Sequence, residues 1–404
     1  MMKKQYEIQP ADRLKQVQEY YFSRKLKEVA RLNAEGKDII SLAIGSPDMP
    51  PSEQTVNKLC EVAHDPAAHG YQPTMGTPEL RKSMADYYKK VYDVDVDPQS
   101  EILPLIGSKE GILHITLAFV NPGETVLVPN PGYPTYTSLS KLLGARVEYY
   151  DLKEENGWQP DFNDLFRRDL SHVKLMWTNY PHMPTGAQAR QDVYDRLVEL
   201  ACINSFIVVN DNPYSRILNE HPLSIFNTKL TNPKLAKDYC IELNSLSKSH
   251  NMPGWRVGMC IAKADYISWI LKVKSNIDSG TFRGLQLAAA EALTTNTEEW
   301  HLEHNIHIYA RRRRLAEQIM EALGCTYDPN QAGLFLWGRI PDHYTNAEQL
   351  TERILHEARV FLTPGFIFGS NGERYVRISL CTNEERMSEA LRRISVSIRV
   401  HPMQ

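Results

Sequence analysis

Through the first two thirds of the chain, short apolar runs rich in β-branched and aromatic residues alternate with amphipathic stretches, and that rhythm admits few architectures. The runs are Thr125–Pro129, Val147–Leu152, Val173–Thr178, Phe206–Asp211, Tyr239–Leu243 and Val257–Ala262. Each has the length and composition of a buried strand. Between several of them lie segments such as Arg190–Asn204, apolar at helical spacing. Strand and helix in alternation predict an α/β fold, a mainly parallel sheet covered by helices on both faces.

After about Thr295 the rhythm changes. A long helix is expected over Glu298–Leu323, with Gly324 where a C-cap glycine belongs. A strand (Leu334–Ile340), a helix (Ala347–Arg359), two strands (Val360–Thr363 and Tyr375–Leu380) and a last helix (Glu384–Val400) follow, the pattern of a smaller α+β domain. The run Arg311–Arg314 reads as a solvated, partly ion-paired helix surface, because successive helix positions fan out to several faces.

Composition excludes several classes. With 46 basic against 49 acidic residues in 404, the net charge of −3 argues against an obligate nucleic-acid or polyanion binder. No apolar stretch approaches the ~18 residues that cross a bilayer, and the two lysines near the start lead into no apolar segment of the secretory kind. A cytoplasmic protein is the expectation. Six scattered cysteines (Cys60, Cys202, Cys240, Cys260, Cys325 and Cys381) form no CxxC and read as small buried hydrophobes. The histidines form no zinc pattern, and no structural metal is expected.

Three segments carry chemistry. Ser245-Leu246-Ser247-Lys248 follows a strand and precedes Arg256 by eight residues. A lysine past a strand end, among hydroxyls and near an arginine, suits an amine nucleophile beside a phosphate. Asp211 closes the apolar run Phe206–Asp211, with Tyr214 three residues on. That is where the ligand crevice of an open α/β sheet lies, and a carboxylate buried there calls for a cationic partner. Ile102–Ile106 leads through Gly107 into Ser108-Lys109-Glu110-Gly111 and a helical pattern. A glycine turn opening a helix makes an anion cradle from backbone N–H groups. Neither a dinucleotide nor an NTPase fingerprint is present, so a single phosphate is the economical ligand.

Lys248 in SLSKSHNMPGWRVG, Asp211 and Tyr214 in NDNPY, PNPGYPTY at 129–136 and YPHMPTG at 180–186 together resemble the class I/II aminotransferases of fold type I, which use pyridoxal 5′-phosphate. The likeness runs from about Ser41 to Arg377, with the motifs in family order. It implies that Lys248 holds the cofactor covalently, Asp211 pairs with the pyridine nitrogen, Tyr214 donates to the ring hydroxyl and Tyr133 stacks on the ring face. It further implies a phosphate held by Ser108, Lys109, Ser245, Ser247 and Arg256. Tyr71 of a neighbouring subunit would reach that phosphate, hence a homodimer with shared sites. Gly45 and Arg377 would grip the substrate α-carboxylate, the arginine through its fork. The large domain is then 51–297, and 1–50 with 298–404 form the small one.

One departure stands out. The family reads NPTG where this chain has Met183-Pro184-Thr185-Gly186, and Met183 cannot donate to the ring hydroxyl. The expectation is a bound imine that titrates higher than in relatives, unless Asn179 or His182 substitutes. The activity implied is transfer of an amino group between an L-amino acid and a 2-oxo acid, 2-oxoglutarate being the expected acceptor, by ping-pong kinetics. Rival readings are a β-elimination lyase on the same scaffold, a serine acylase using Ser245-x-x-Lys248, disfavoured by the absence of KTG, and a non-catalytic ligand sensor. Arg283 reads as an exposed helix-start residue rather than a group facing a distal carboxylate.

Overall fold

The computed structural model describes residues 8–17 and 21–400, without the side chains of the last two. Its thirteen described strands fall into three sheets. The short β1 (Ile40–Ser41) precedes a central sheet built from β2 (Ile102–Leu105), β3 (Thr125–Asn130), β4 (Arg146–Asp151), β5 (Val173–Thr178), β6 (Ile207–Asp211), β7 (Cys240–Ser245) and β8 (Gly258–Ile261). Their spatial order is β2-β8-β7-β6-β5-β3-β4. β4, β3, β5, β6 and β7 are parallel neighbours, and β8 alone runs against the rest, between β7 and β2. The alternating pattern thus yields the predicted mainly parallel sheet.

Every residue of β3, β6, β7 and β8 is buried, which is why apolar residues predominate in them without strict alternation: helices cover both faces. β4 is the edge strand, with only Tyr150 buried, and its charged positions face water. On one face, Val126, Val128, Leu175, Trp177, Val209, Ile241 and Leu243 pack with Ile112 and Ile115 of the helix Ser108–Phe119. Each such fully buried side chain contributes ~1.5–3 kcal/mol.

The remaining strands are β9 (Thr326–Tyr327), β10 (Phe335–Arg339), β11 (Val360–Phe361), β12 (Thr363–Pro364) and β13 (Tyr375–Ser379). An antiparallel sheet runs β12-β13-β10-β9, and β1 pairs in parallel with β11. That pairing ties the N-terminal segment to the C-terminal part, and Leu42 continues it by accepting from Ser379 N at 2.8 Å. Residues 43–45 are thereby laid along the mouth of the central sheet.

Two expectations need correction. The long helix is present, as Glu298–His301, a π-helical turn Leu302–His307 and Ile308–Ala322, but its arginine run is not wholly solvated. Arg312 and Arg313 lie on the face that carries buried Tyr309, Ala316 and Ile319, so 3.6-residue geometry turns them inward. Arg312 grips both oxygens of Asp48 at 2.6 and 3.0 Å, and Arg313 donates to Gln331 O at 2.6 Å. Among the cysteines, all free, Cys60 is exposed and Cys202 half-buried. Cys60 stands on the helix Glu53–Ala63, whose buried positions are Thr55 and Val62 on the opposite side. Among the described residues no helix is long and apolar enough to cross a membrane.

Candidate active site

The carboxyl ends of the parallel strands and the segment 43–45 enclose a cavity of about 620 Å³. Topology accounts for its position: the crevice of an open α/β sheet opens beyond its strand ends. Lys248, Asp211, Tyr214, Ser108, Lys109, Tyr133, Ser245, Ser247, Arg256, Gly45 and Arg377 all line it. Of the residues singled out from sequence, Tyr71 and Arg283 do not. Tyr71 is 93% exposed and is not among the residues lining its own chain's cavity. Arg283 is the first residue of the helix Arg283–Thr295 and is half-buried there.

At the cavity floor lies Asp211, the last residue of β6 and 5% exposed. Burial pushes its carboxyl up to about 7, with a hydrogen bond from Tyr136 opposing the rise. The Tyr136 hydroxyl donates to Oδ2 at 2.9 Å, while buried Oδ1 has no partner among the described residues. An acceptor in that state is complementary to one N–H donor. Tyr136 was not foreseen. It is fully buried in the first turn of the helix Pro134–Leu142 and stacks on Trp177, ring centroids 5.0 Å apart. Tyr133, three residues earlier, meets the Tyr136 ring edge-on at 5.5 Å.

Lys248 is delivered by the short helix Leu246–Ser249, whose N-cap Ser245 accepts from Ser247 N at 3.0 Å. Burial draws the Lys248 amine below the ordinary lysine range, and the Arg377 and Arg256 charges add to the fall. The amine donates to the carbonyl of Gly45. The Tyr214 phenol, against Phe335 with centroids 6.0 Å apart, is raised by burial.

Gly107 precedes the helix Ser108–Phe119 with φ +75°. A Cβ there would collide with the Arg256 guanidinium, so glycine is required both for the turn and for that approach. The first-turn residues Ser108 and Lys109 of the helix, the Arg256 guanidinium and the hydroxyls of Ser245 and Ser247 line the cavity together as an anion cradle.

At the other end Arg377, on β13, is 5% exposed. It donates to Ala43 O at 2.7 Å and to Met183 Sδ at 3.3 Å, and its guanidinium lies over the rings of Phe335 (3.9 Å) and Phe368 (4.6 Å). Of the two substitutes for the missing asparagine, Asn179 lines the cavity and keeps a second amide hydrogen, whereas His182 does not line it. Asn179 gives one amide hydrogen to Asp211 O at 2.5 Å and accepts from Met183 N at 2.8 Å. His182 is bonded to Thr185 at 2.8 Å, lies off the cavity, and is driven down to about 3 by burial. Phe22, Ser23 and Leu26, on the helix Tyr21–Ala34, also line the site. They bear no polar motif that sequence reasoning would select.

An amine with a lowered pKa, a buried carboxylate with one open oxygen and a single-phosphate cradle fit pyridoxal phosphate. On this sheet they define the class: a fold type I, pyridoxal-phosphate-dependent transferase. The family model for aminotransferase class I and II matches residues 37–394. The LL-diaminopimelate aminotransferases of Dehalococcoides mccartyi (strain 195) and Aquifex aeolicus are each 39% identical to the chain, over 95% of it and over 97% and 98% of their own lengths. Among solved structures, apo BacF from Bacillus subtilis superposes with a TM-score of 0.90 at 34% identity, covering 97% of this chain and 98% of its own. A Thermus thermophilus aspartate aminotransferase mutant gives 0.88 at 25% identity, covering 97% and 100%. The chain belongs to the class I and II aminotransferase family and is a pyridoxal-phosphate-dependent aminotransferase.

Proposed function

We propose that the enzyme takes the amino group of an L-amino acid and passes it to 2-oxoglutarate or a related 2-oxo acid, with the site residues in the following roles. The observation that carries the assignment is the unpartnered Oδ1 of Asp211 in the same cavity as the Lys248 amine. When bound, the cofactor supplies the carbonyl that takes up the amino group and an electron-poor ring that accepts the electron pair of the broken Cα bond.

Asp211 Oδ1 receives the protonated ring nitrogen, and Tyr136 keeps the carboxylate oriented and charged. Tyr214 donates to the ring hydroxyl, Tyr133 covers the ring face, and Ser108, Lys109, Ser245, Ser247 and Arg256 hold the phosphate. Arg377 binds the α-carboxylate beside Gly45, which fixes the Cα–H bond relative to the ring. Lys248 has the depressed basicity a general base needs and would move the substrate Cα proton. The Phe335, Phe368 and Phe22 rings limit water at the Arg377 end.

Tyr71 and the assembly belong to the same proposal: exposed in one protomer, Tyr71 completes the phosphate cradle of a second in a homodimer. We also assign 51–297 to a large cofactor-binding domain and 1–50 with 298–404 to a small one, in a cytoplasmic enzyme. LL-diaminopimelate, named for the relatives above, heads the donors to be tried.

The test is a panel of amino donors mixed singly with the loaded enzyme, following the cofactor absorbance. Loss of the absorbance with a donor, and its recovery on adding 2-oxoglutarate, supports transamination. Release of pyruvate and ammonia with no acceptor acid would replace this reading with a β-elimination lyase.

A further inference from the structure

Met183 is the one described methionine that both belongs to the buried core and lines the cavity. Met84, Met176, Met252, Met259, Met320 and Met387 are 0% exposed, whereas Met183 is 5% exposed and its surface faces the cavity. Its sulfur accepts from Arg377 Nη1 at 3.3 Å. A thioether is a weak acceptor, so the contact yields readily to a carboxylate. The Met183 side chain lines the cavity, so a small solute in the substrate space lies against it, and thioethers are oxidised by peroxides.

We propose that Met183 is a redox modification site: a hydroperoxide oxidises its thioether to the sulfoxide, and the new oxygen engages the Arg377 guanidinium and excludes the substrate carboxylate. In the step, a sulfur lone pair attacks the peroxide oxygen and an S–O bond forms as the O–O bond breaks. The departing oxygen takes a proton and leaves as water or an alcohol. Sulfur loses two electrons and the peroxide gains them. The sulfoxide oxygen is a stronger acceptor than the thioether sulfur, and the guanidinium charge assists the hydrogen bond it donates to that oxygen. The modification is reversible by methionine sulfoxide reductases, one for each epimer. The inhibitory consequence rests on Arg377 being the carboxylate ligand, as proposed above; the oxidation itself does not.

The test treats the full-length, cofactor-loaded enzyme with graded hydrogen peroxide. Peptide mass mapping gives the sulfoxide fraction at residue 183, and KM and kcat are measured with one amino donor. Expected are an activity loss that tracks the fraction at 183, a rise in KM of about tenfold or more, protection by 2-oxoglutarate and recovery with the two reductases. A Met183→Leu chain should hold its own starting activity at doses that inactivate the parent. The proposal is overturned if sulfoxide accumulates at 183 with KM unchanged, if 183 stays reduced while activity falls, or if Met183→Leu follows the parent's inactivation curve. An untreated enzyme that no amino donor bleaches would instead defeat the aminotransferase roles, leaving the mass mapping to judge the oxidation alone.

Discussion

Tyr136 donates its phenolic hydrogen bond to one oxygen of Asp211, at 2.9 Å, and leaves the other open toward the cavity. Burial already holds this carboxyl at about 7 with that bond in place. Removing the donor in Tyr136→Phe should raise it further. In the loaded enzyme the acid limb of the kcat/KM profile should move up by about one pH unit, equivalent to ~1.4 kcal/mol, with little change in melting temperature of the loaded form. An unmoved limb would show that the phenol does not govern the carboxylate.

The same carboxyl makes the cofactor-free protein sensitive to pH. Its folded pKa lies above the ordinary aspartate value, so the folded state holds a proton that the unfolded state releases. The associated stability is complete below about 4 and is lost as pH rises through about 7. Asp211→Asn should therefore melt higher than wild type at pH 8 without cofactor, the gap closing toward pH 4, while losing cofactor affinity. Melting curves at several pH values, with and without pyridoxal phosphate, decide it.

Gly107→Ala places a methyl group where the Arg256 guanidinium lies and forces a φ of +75° on an L side chain. Affinity for pyridoxal phosphate should fall by tenfold or more, and affinity for the unphosphorylated aldehyde much less, because the damage is confined to the cradle. Equilibrium dialysis with both compounds measures the difference.

Tyr71→Phe should weaken cofactor retention several-fold without altering the melting temperature of the cofactor-free chain, since the side chain is 93% exposed and stabilises nothing in its own protomer. If each subunit completes its neighbour's site, mixing Tyr71→Phe with Lys248→Ala should form hybrids holding one site that lacks both groups and one intact site. Activity in such mixtures, when neither parent equals it, checks the shared-site arrangement.

Local sequence determined much of this protein. Apolar runs long enough for strands and too short for helices set the central sheet, the glycine before Ser108 set the cradle, and Asp211 and Lys248 were legible because one closes a strand and the other stands just past one. What local pattern does not carry is which distant residues meet. Tyr136 looked like any helix tyrosine until the packing of Pro134–Leu142 against β3 and β4 brought its hydroxyl to Asp211, 75 residues along the chain. Arg312 and Arg313 read as surface because four adjacent charges fit every face of a helix; the neighbours of that helix decided which two turned inward. The motif shows that Met183 replaces an asparagine, but only the pairing of β1 with β11 and of β10 with β13 brings Arg377 beside its sulfur. Periodicity is written in neighbours a few positions apart, whereas a site is made of contacts hundreds of positions apart, and those exist only once the sheets have closed.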